Sequence, residues 1–376
     1  MYKGEEPFAS FLKKYFNQHK KFGSNDRKQV SHLCYCYFRL GKAVTDNVEE
    51  RIVTALFLCS HHANEILQQL KPAWNESILK STGEKLSMLS SEGYGDLLNN
   101  IFPWKEKLSG SISYADFSES FLVQPDLYLR LRPGNEKAVK EKLRISNIDF
   151  TVIGASAVGL NNTVNIESVI DLDREAVIQD LSSQKTGDLL FSLGKKDSSP
   201  MKVWDCCAAS GGKSIMAVDI LGNIDLTVSD IRKSILYNLR ERFSQAGITK
   251  YKSFVADLSK QSVSLPVSGI DLIIADAPCT GSGTWGRTPE QLFYFDEKEI
   301  EKYVSLQKSI AGNSIAYLEA GGFLLYITCS VFRSENENII EYLSEKFPLS
   351  VIKMEVIRGY NKKADTMFAA LLQKTL

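Results

Sequence analysis

The sequence predicts an α/β chain. An open, mostly parallel sheet covered by helices on both faces follows an all-α segment and a small mixed α/β module. Three features lead there. From about residue 200 onward, strand, loop and helix alternate, and the strands are short runs rich in Ile, Leu and Val, as in strands buried on both faces. Residues 1 to about 120 carry helical periodicity with few β-branched runs. Between the two, LYLRLRP alternates in period two.

In FASFLKKYFNQ, residues Phe8, Phe11, Leu12, Tyr15 and Phe16 recur at i, i+3, i+4, i+7 and i+8 and mark an amphipathic helix. Asn25-Asp26 predicts the cap of a second helix over 27–40, closed by Gly41. VEERIVTALFLCSHHANEILQQL predicts a third helical stretch, and Pro72 and Pro103 punctuate the residues between it and position 120. After 121, LYLRLRP, DFTVIG and NTVNI read as strands and NEKAVKEKLRISN as a polar amphipathic helix, with AVIQDLSSQ behind them. Strands are then expected at 202–205, 226–230, 253–257, 271–276 and 323–328. Helices are expected at about 213–221, 232–246, 299–319 and 334–346, and two last strands near 351–356 and 367–373. The expected division is 1–120, 121–185 and 186–376.

Hydrophobic residues are 44% and charged residues 24% of the chain, which excludes a disordered or fibrous protein. The net charge is zero, so the chain is no wholly basic coating protein, but residues 1–45 hold nine Lys/Arg against three Asp/Glu. A basic start on a neutral chain points to a polyanionic partner. No run of 18 apolar residues exists and the first residues lack a secretory pattern, so neither membrane nor export is expected. Seven cysteines without a C-x-x-C pair fit a reducing cytoplasm.

The chemistry is expected at strand ends, where open parallel sheets bind ligands. Successive ends give Asp205-Cys206-Cys207-Ala208-Ala209-Ser210-Gly211-Gly212-Lys213, then Asp230, Asp257, and Asp276-Ala277-Pro278-Cys279. One such Asp is ordinarily a helix cap, but four in order line one edge of one crevice. The loop 207–213 ends like a phosphate loop at Gly212-Lys213-Ser214, yet Cys207 stands where the first Gly is required, and G-x-G-x-x-G is absent. A small-residue loop that lets backbone approach a ligand remains. With acidic groups at the next strand ends for ribose hydroxyls and an adenine amino group, this is the layout of an S-adenosylmethionine site. His61-His62 with Glu65 lacks a third ligand at zinc spacing and reads as a helix face. Cys206 is expected to pack at its strand end, and Cys34, Cys36 and Cys59 in the helical bundle. Trp285 and Arg287 come after Cys279 and are read two ways, as a stacking clamp for an extruded nucleotide or as loop packing.

CCAASGGKS resembles the CAAPGGKT loop of the Sun/Fmu (RsmB/Nop) family of RNA cytosine-5 methyltransferases. DAPCTGSGTWGRTPE, LLYITCSVFRSENE and IQDLSSQ are similar to three further motifs of that family. GSNDRKQVSHLCYCYFRL resembles the NusB-like helical domain of its bacterial rRNA members, and RGYNKKADTMFAALLQK its closing strand pair. The departures are Ser210 for a usual Pro, Thr280 for a common Ser, and Thr366-Met367 for a Gly-Phe pair.

The resemblance implies a NusB-like all-α RNA-binding domain over 1–120, a small α/β module over 121–185, and a Rossmann-like class I S-adenosylmethionine-dependent methyltransferase domain over 186–376. It implies a cofactor site from Cys207, Ala208, Ala209, Ser210, Gly211, Gly212, Lys213, Asp230, Asp257 and Asp276. No metal is implied. The substrate is cytosine in structured RNA, above all small-subunit rRNA, and the protein acts as a monomer. The Thr-Cys thiol, Cys329, attacks C6 of the base and the Pro-Cys thiol, Cys279, assists release. Asp276 hydrogen-bonds the base edge, and Lys213 favours a thiolate or contacts the base. Two other readings stay open. One is tRNA as substrate; the other is an inactive NusB-like RNA-binding scaffold, against which intact Cys279, Cys329, Asp276 and Lys213 speak. The Thr-Cys motif disfavours DNA.

Overall fold

The computed structural model describes residues 2–45, 47–193, 199–260 and 265–375, which form two compact units. The first is helical and comprises Met1–Leu108, Ile112–Pro125 and Thr284–Glu297. Its first helices are α1 (Phe8–Gln18), α2 (Ser24–Arg39), α3 (Val48–Cys59) and α4 (Glu65–Leu70). After them come α5 (Pro72–Glu76), α6 (Thr82–Ser91), α7 (Leu97–Ile101) and α8 (Tyr114–Ser120). Phe8, Leu12 and Phe16 of α1 bury one stripe against Phe38 of α2, with Phe293 packed on the same cluster.

Two helix boundaries differ from expectation, each for a local reason. α2 begins at Ser24, because the Asp26 carboxylate accepts the Gly23 N–H at 2.9 Å and so sits inside the first turn. The third helical stretch is two helices. Asn64 accepts from the Leu67 N–H and caps α4 anew, so His61 and His62 lie in the connecting loop and not on a helix face. Arg39, 3% exposed, donates to the carbonyls of Phe121, Val123 and Gly286. Lys42 donates to that of Phe293 at 2.7 Å. These two cations hold the fold together, whereas Lys3, Lys13, Lys20, Lys21 and Lys28 are exposed.

The second unit comprises Ser109–Ser111, Asp126–Gly283 and Lys298–Leu376. It opens with a four-stranded sheet in the order β2-β3-β1-β4, from β1 (Leu127–Leu131), β2 (Phe150–Ile153), β3 (Ala157–Leu160) and β4 (Ala176–Ile178), with α9 (Glu136–Ile145) packed on it. The segment NTVNI is not a strand; the pairing segment is Ala157–Leu160. Gly159 lies opposite Tyr128, where a Cβ would come 3.1 Å from the tyrosine ring. Tertiary pairing here outweighs the weak strand propensity of Ala and Gly.

α10 (Leu181–Lys185) and α11 (Asp188–Phe191) lead into a seven-stranded sheet in the order β10-β11-β9-β8-β5-β6-β7. Its strands are β5 (Met201–Asp205), β6 (Ile224–Asp230), β7 (Lys252–Val255), β8 (Ile270–Asp276), β9 (Leu318–Thr328), β10 (Leu349–Ile357) and β11 (Met367–Lys374). The linking helices are α12 (Gly212–Leu221), α13 (Lys233–Gln245), α15 (Glu299–Ile315) and α16 (Glu337–Lys346), while α14 (Pro289–Tyr294) belongs to the helical unit. Five strands, β7 to β9, run parallel; β11 is antiparallel to β9 and to β10, so the sheet is mixed rather than parallel throughout. A hairpin closes this edge, since antiparallel neighbours need no crossover helix. β9 begins five residues earlier than expected. Gly321 at φ +77 and Gly322 carry an irregularity within the strand, and the helix before it stops at Ile315.

Candidate functional site

Five strand ends and a short helix meet in the second unit. The register aligns Asp205 with Ile274, Asp230 with Val255, and Asp276 with Ile327. The carboxyl ends of β5, β6, β7, β8 and β9 therefore form one edge, with the loop 206–211 springing from its middle.

That loop is shaped by two left-handed residues, Ala209 (φ +44) and Gly211 (φ +87). A Cβ on Gly211 would meet Phe243 of α13 at 2.6 Å, whereas one on Gly212 would meet nothing within 4 Å. The loop is thus closed against α13 and open beyond Gly212, a cradle into which a ligand can come close to backbone. Asp230, 6% exposed, accepts the Ala209 N–H at 3.0 Å and is gripped by the Arg232 backbone and guanidinium. Burial opposes its ionisation, but the Arg232 contacts and the two N–H groups outweigh it and hold the carboxyl below the usual range. Asp257 lies two residues past β7, its carboxylate turned to Ser259 and Lys260. A small-residue loop open to a ligand, with a buried carboxylate at the next strand end, fits a nucleoside bearing a ribose, as in S-adenosylmethionine.

Ser210, the departure from Pro, is tied down from outside the loop. Arg242 donates to its hydroxyl at 2.9 Å and to its carbonyl at 3.1 Å, and is itself held by both oxygens of Asp173.

On the other side of the loop, Lys213, 8% exposed, donates from Nζ to Asp276 Oδ2 at 2.9 Å and to Ser183 Oγ at 2.8 Å. Ser183, in α10, also accepts from Gln179 Nε2 at 3.1 Å. The cation at the start of α12 is paired, which removes its conflict with the helix dipole. Neither Ser183 nor Gln179 was singled out from the sequence, although IQDLSSQ carries them both.

Cys279, three residues past β8, and Cys329, directly past β9, bring their sulfurs to 3.3 Å as free thiols. The hydrogen bond to Cys329 first, and burial second, push the Cys279 thiol well above the usual thiol range. Around the pair stands a buried polar frame. Glu335 accepts from the Thr280 N–H (2.9 Å), the Thr280 hydroxyl (2.6 Å), Gln307 Nε2 (3.0 Å) and the Ser330 hydroxyl. Asn336 donates to the Ser330 carbonyl at 2.9 Å and accepts from the Thr328 hydroxyl at 2.6 Å. The Gly283 N–H donates to the Cys329 carbonyl at 2.8 Å, and the Thr366 N–H to the Gly283 carbonyl at 2.9 Å. Thr280 and Thr366, both departures from the family pattern, thus take part through a hydroxyl and a backbone group.

Trp285 is 1% exposed and packs on Phe102, Trp104 and Phe295 within the helical unit, which favours the packing reading of this residue. Cys206 is buried at its strand end, and Cys36 is buried in the bundle with Cys34 and Cys59 half-buried.

Residues 193–372 match the family model of the 16S rRNA methyltransferase RsmB/F. The probable ribosomal RNA small subunit methyltransferase B of Synechocystis is 26% identical over 265 residues, covering 69% of this chain and 58% of the relative. Ribosomal RNA small subunit methyltransferase F of Shewanella piezotolerans is 29% identical over 180 residues, 46% of this chain and 36% of the relative. The chain therefore spans between about a third and three fifths of the length of such relatives. In fold it is similar to the crystal structure of PH0851, with a TM-score of 0.70 at 18% identity over 96% of this chain and 93% of that one. It is also similar to NSun6 from Pyrococcus horikoshii, with a TM-score of 0.58 at 15% identity over 77% and 98%. The seven-stranded mixed sheet is that of class I S-adenosylmethionine-dependent methyltransferases. The N-terminal helical region is consistent with the NusB-like domain of RsmB homologues, and residues 193–372 are similar to the RsmB/F family of RNA cytosine-5 methyltransferases.

Proposed function

We propose that this protein methylates C5 of a cytosine in small-subunit rRNA, using S-adenosylmethionine, as a monomer in the cytoplasm. The observation that carries the reading is the pair of sulfurs 3.3 Å apart at the ends of neighbouring strands. C5 of cytosine is a poor nucleophile until a thiolate adds at C6. Cys329 forms that C6–S bond. Bound in the loop 207–213 with Asp230 and Asp257, the cofactor supplies an electrophilic methyl group. Asp276, held by Lys213, accepts from the base edge and keeps the ring oriented. Loss of the C5 proton to solvent water then re-forms the C5–C6 double bond and breaks the C6–S bond, and Cys279 gives its proton to the departing Cys329 sulfur. The base must leave its stack to reach the sulfurs. The exposed lysines at the start of the chain support a role for residues 1–120 in holding RNA phosphates.

Two measurements test the reading. Bisulfite mapping of rRNA and tRNA, with and without the protein, reports activity and target. A protected cytosine only in tRNA moves the substrate, and none anywhere removes the activity. Cys279→Ala is expected to accumulate a protein–RNA adduct that survives denaturing electrophoresis and vanishes with RNase, while Cys329→Ala gives none. The opposite pattern reverses the two roles.

A further inference from the structure

Glu335 has no exposed surface, yet it is a carboxylate inside a sheet-edge loop. Burial pushes its proton affinity up. Against that stand four contacts, from the Thr280 N–H and hydroxyl, the Ser330 hydroxyl and the Gln307 amide, every one a donor. Four donors suit an acceptor-only carboxylate, so the ionised form matches the site. Oε2 accepts a hydroxyl from each loop, those of Thr280 and Ser330, while Oε1 accepts the Thr280 N–H and the Gln307 amide. Thr280 is next to Cys279 and Ser330 next to Cys329 in sequence, so one carboxylate spans the neighbours of both sulfurs. Gln307, from α15, carries the clamp to the Pro278 carbonyl at 3.0 Å, on the other side of Cys279. The Tyr326 hydroxyl pins the Glu335 carbonyl at 2.9 Å.

We propose, building on the two-cysteine reading above, that Glu335 is a positioning residue that holds the cysteine loops in register and keeps the proton of the sulfur pair on Cys279. The charge argument is direct. Cys279 is faced by Cys329 from β9 and by Glu335 from the turn before α16. Tyr303 on α15 and Tyr326 on β9 also face it, and the Lys213–Asp276 pair lies at the end of β8. Among these, the fixed anion that acts on Cys279 is Glu335, which disfavours a thiolate there. Cys279 is then the sulfur that keeps its proton and is left to donate.

The test uses the full chain. Iodoacetamide labelling from pH 6 to 10, with mass-spectrometric mapping, tracks Cys279 and Cys329 separately in wild type, Glu335→Gln and Thr280→Val. Glu335→Gln loses the charge and places an amide donor among donors. Its Cys279 labelling midpoint is expected to fall by about one pH unit, which is about tenfold faster labelling near neutrality. Its turnover on a small-subunit rRNA transcript should fall at least about tenfold. S-adenosylmethionine affinity, read by calorimetry, stays as in wild type and reports an intact fold. Thr280→Val keeps the charge and loses one strut, so turnover should drop several-fold while the Cys279 midpoint stays in place. An unmoved midpoint in Glu335→Gln overturns the proton assignment, and normal turnover in Thr280→Val overturns the register role. A shifted midpoint with no methylation by wild type on any RNA leaves the proton assignment standing and removes the proposed function instead.

Discussion

Asp205 offers a test of how the centre of the sheet stores electrostatic cost. It ends β5 with no exposed surface, and its Oδ2 accepts the Ser214 hydroxyl at 2.6 Å. Burial above all, with the negative charge of Asp276 adding to it, raises its carboxyl from the ordinary 3.8 to about 7; Ser214, Lys213 and the Cys207 N–H pull only partly the other way. A carboxyl raised in the folded state holds a proton that the unfolded chain has already released. Stability is therefore lost as pH climbs from about 4 to about 7, and is level above that. The full span corresponds to about 4 kcal/mol, and relaxation around a buried charge brings the realistic figure to roughly 2–4 kcal/mol. Asp205→Asn keeps an acceptor for Ser214 and removes the ionisation. The variant should gain on wild type by up to about 1.4 kcal/mol for each pH unit between 5 and 7, then hold a constant lead. Urea titrations, together with hydrogen exchange of the β5 amides, at pH 5, 6, 7 and 8 measure the difference while other titrating groups cancel. A lead that does not change with pH, or a variant less stable at every pH, would refute the assignment of that cost to Asp205.

Three further outcomes are expected from the same geometry. Asp219, 5% exposed on its side chain, bridges buried Arg130 at 2.6 Å and half-buried Arg132 at 2.8 Å, so Asp219→Ala takes the carboxylate from both cations. It should cost about 3–5 kcal/mol in urea unfolding, and a loss below about 1 kcal/mol would mean that water or another group compensates. In Gly283→Ala the new Cβ would lie 1.8 Å from the Thr366 carbonyl oxygen, so the loop between the cysteine motifs must shift. A stability loss of about 1–3 kcal/mol with near-complete loss of methyl transfer is expected, and normal turnover would show that the sulfur spacing is not critical. Asp230→Ala removes the acceptor of the Ala209 N–H and, on the proposed reading, an acceptor for ribose. Calorimetry should show S-adenosylmethionine affinity down roughly 10- to 100-fold, and unchanged affinity takes Asp230 out of the cofactor site.

Much of the second unit was readable because its signals are local. A buried parallel strand is a short apolar run, and the residue that ends it is often polar, as at Asp205, Asp230 and Asp276. What escaped was set by distant partners. Ala157–Leu160 is a strand because β1 and β2 pair with it, not because AVGL favours one. The double glycine of β9 reads as a turn in isolation and is an irregularity inside a strand in the fold. Phe293 joins the α1–α2 cluster across more than 250 residues of chain, so Thr284–Glu297, which begins as the continuation of the Pro-Cys loop, counts among the helical unit.

The same distinction explains the departures in the motifs. A proline would restrict the loop by its own ring, and Ser210 offers no such restriction. In its place stands a chain of contacts from outside the motif, in which Asp173 orients Arg242 through both oxygens and Arg242 grips the Ser210 hydroxyl and carbonyl. Rigidity that a local sequence would have encoded in one residue is here spread over three, from the small module, α13 and the loop. Glu335 obeys the same logic at the sulfurs. The ENE letters are visible in the sequence, but the function of the carboxylate lies in reaching Thr280, 55 residues earlier, and Ser330 together. The reacting residue types are legible one strand end at a time, whereas the groups that fix their geometry become legible only when two loops are seen side by side.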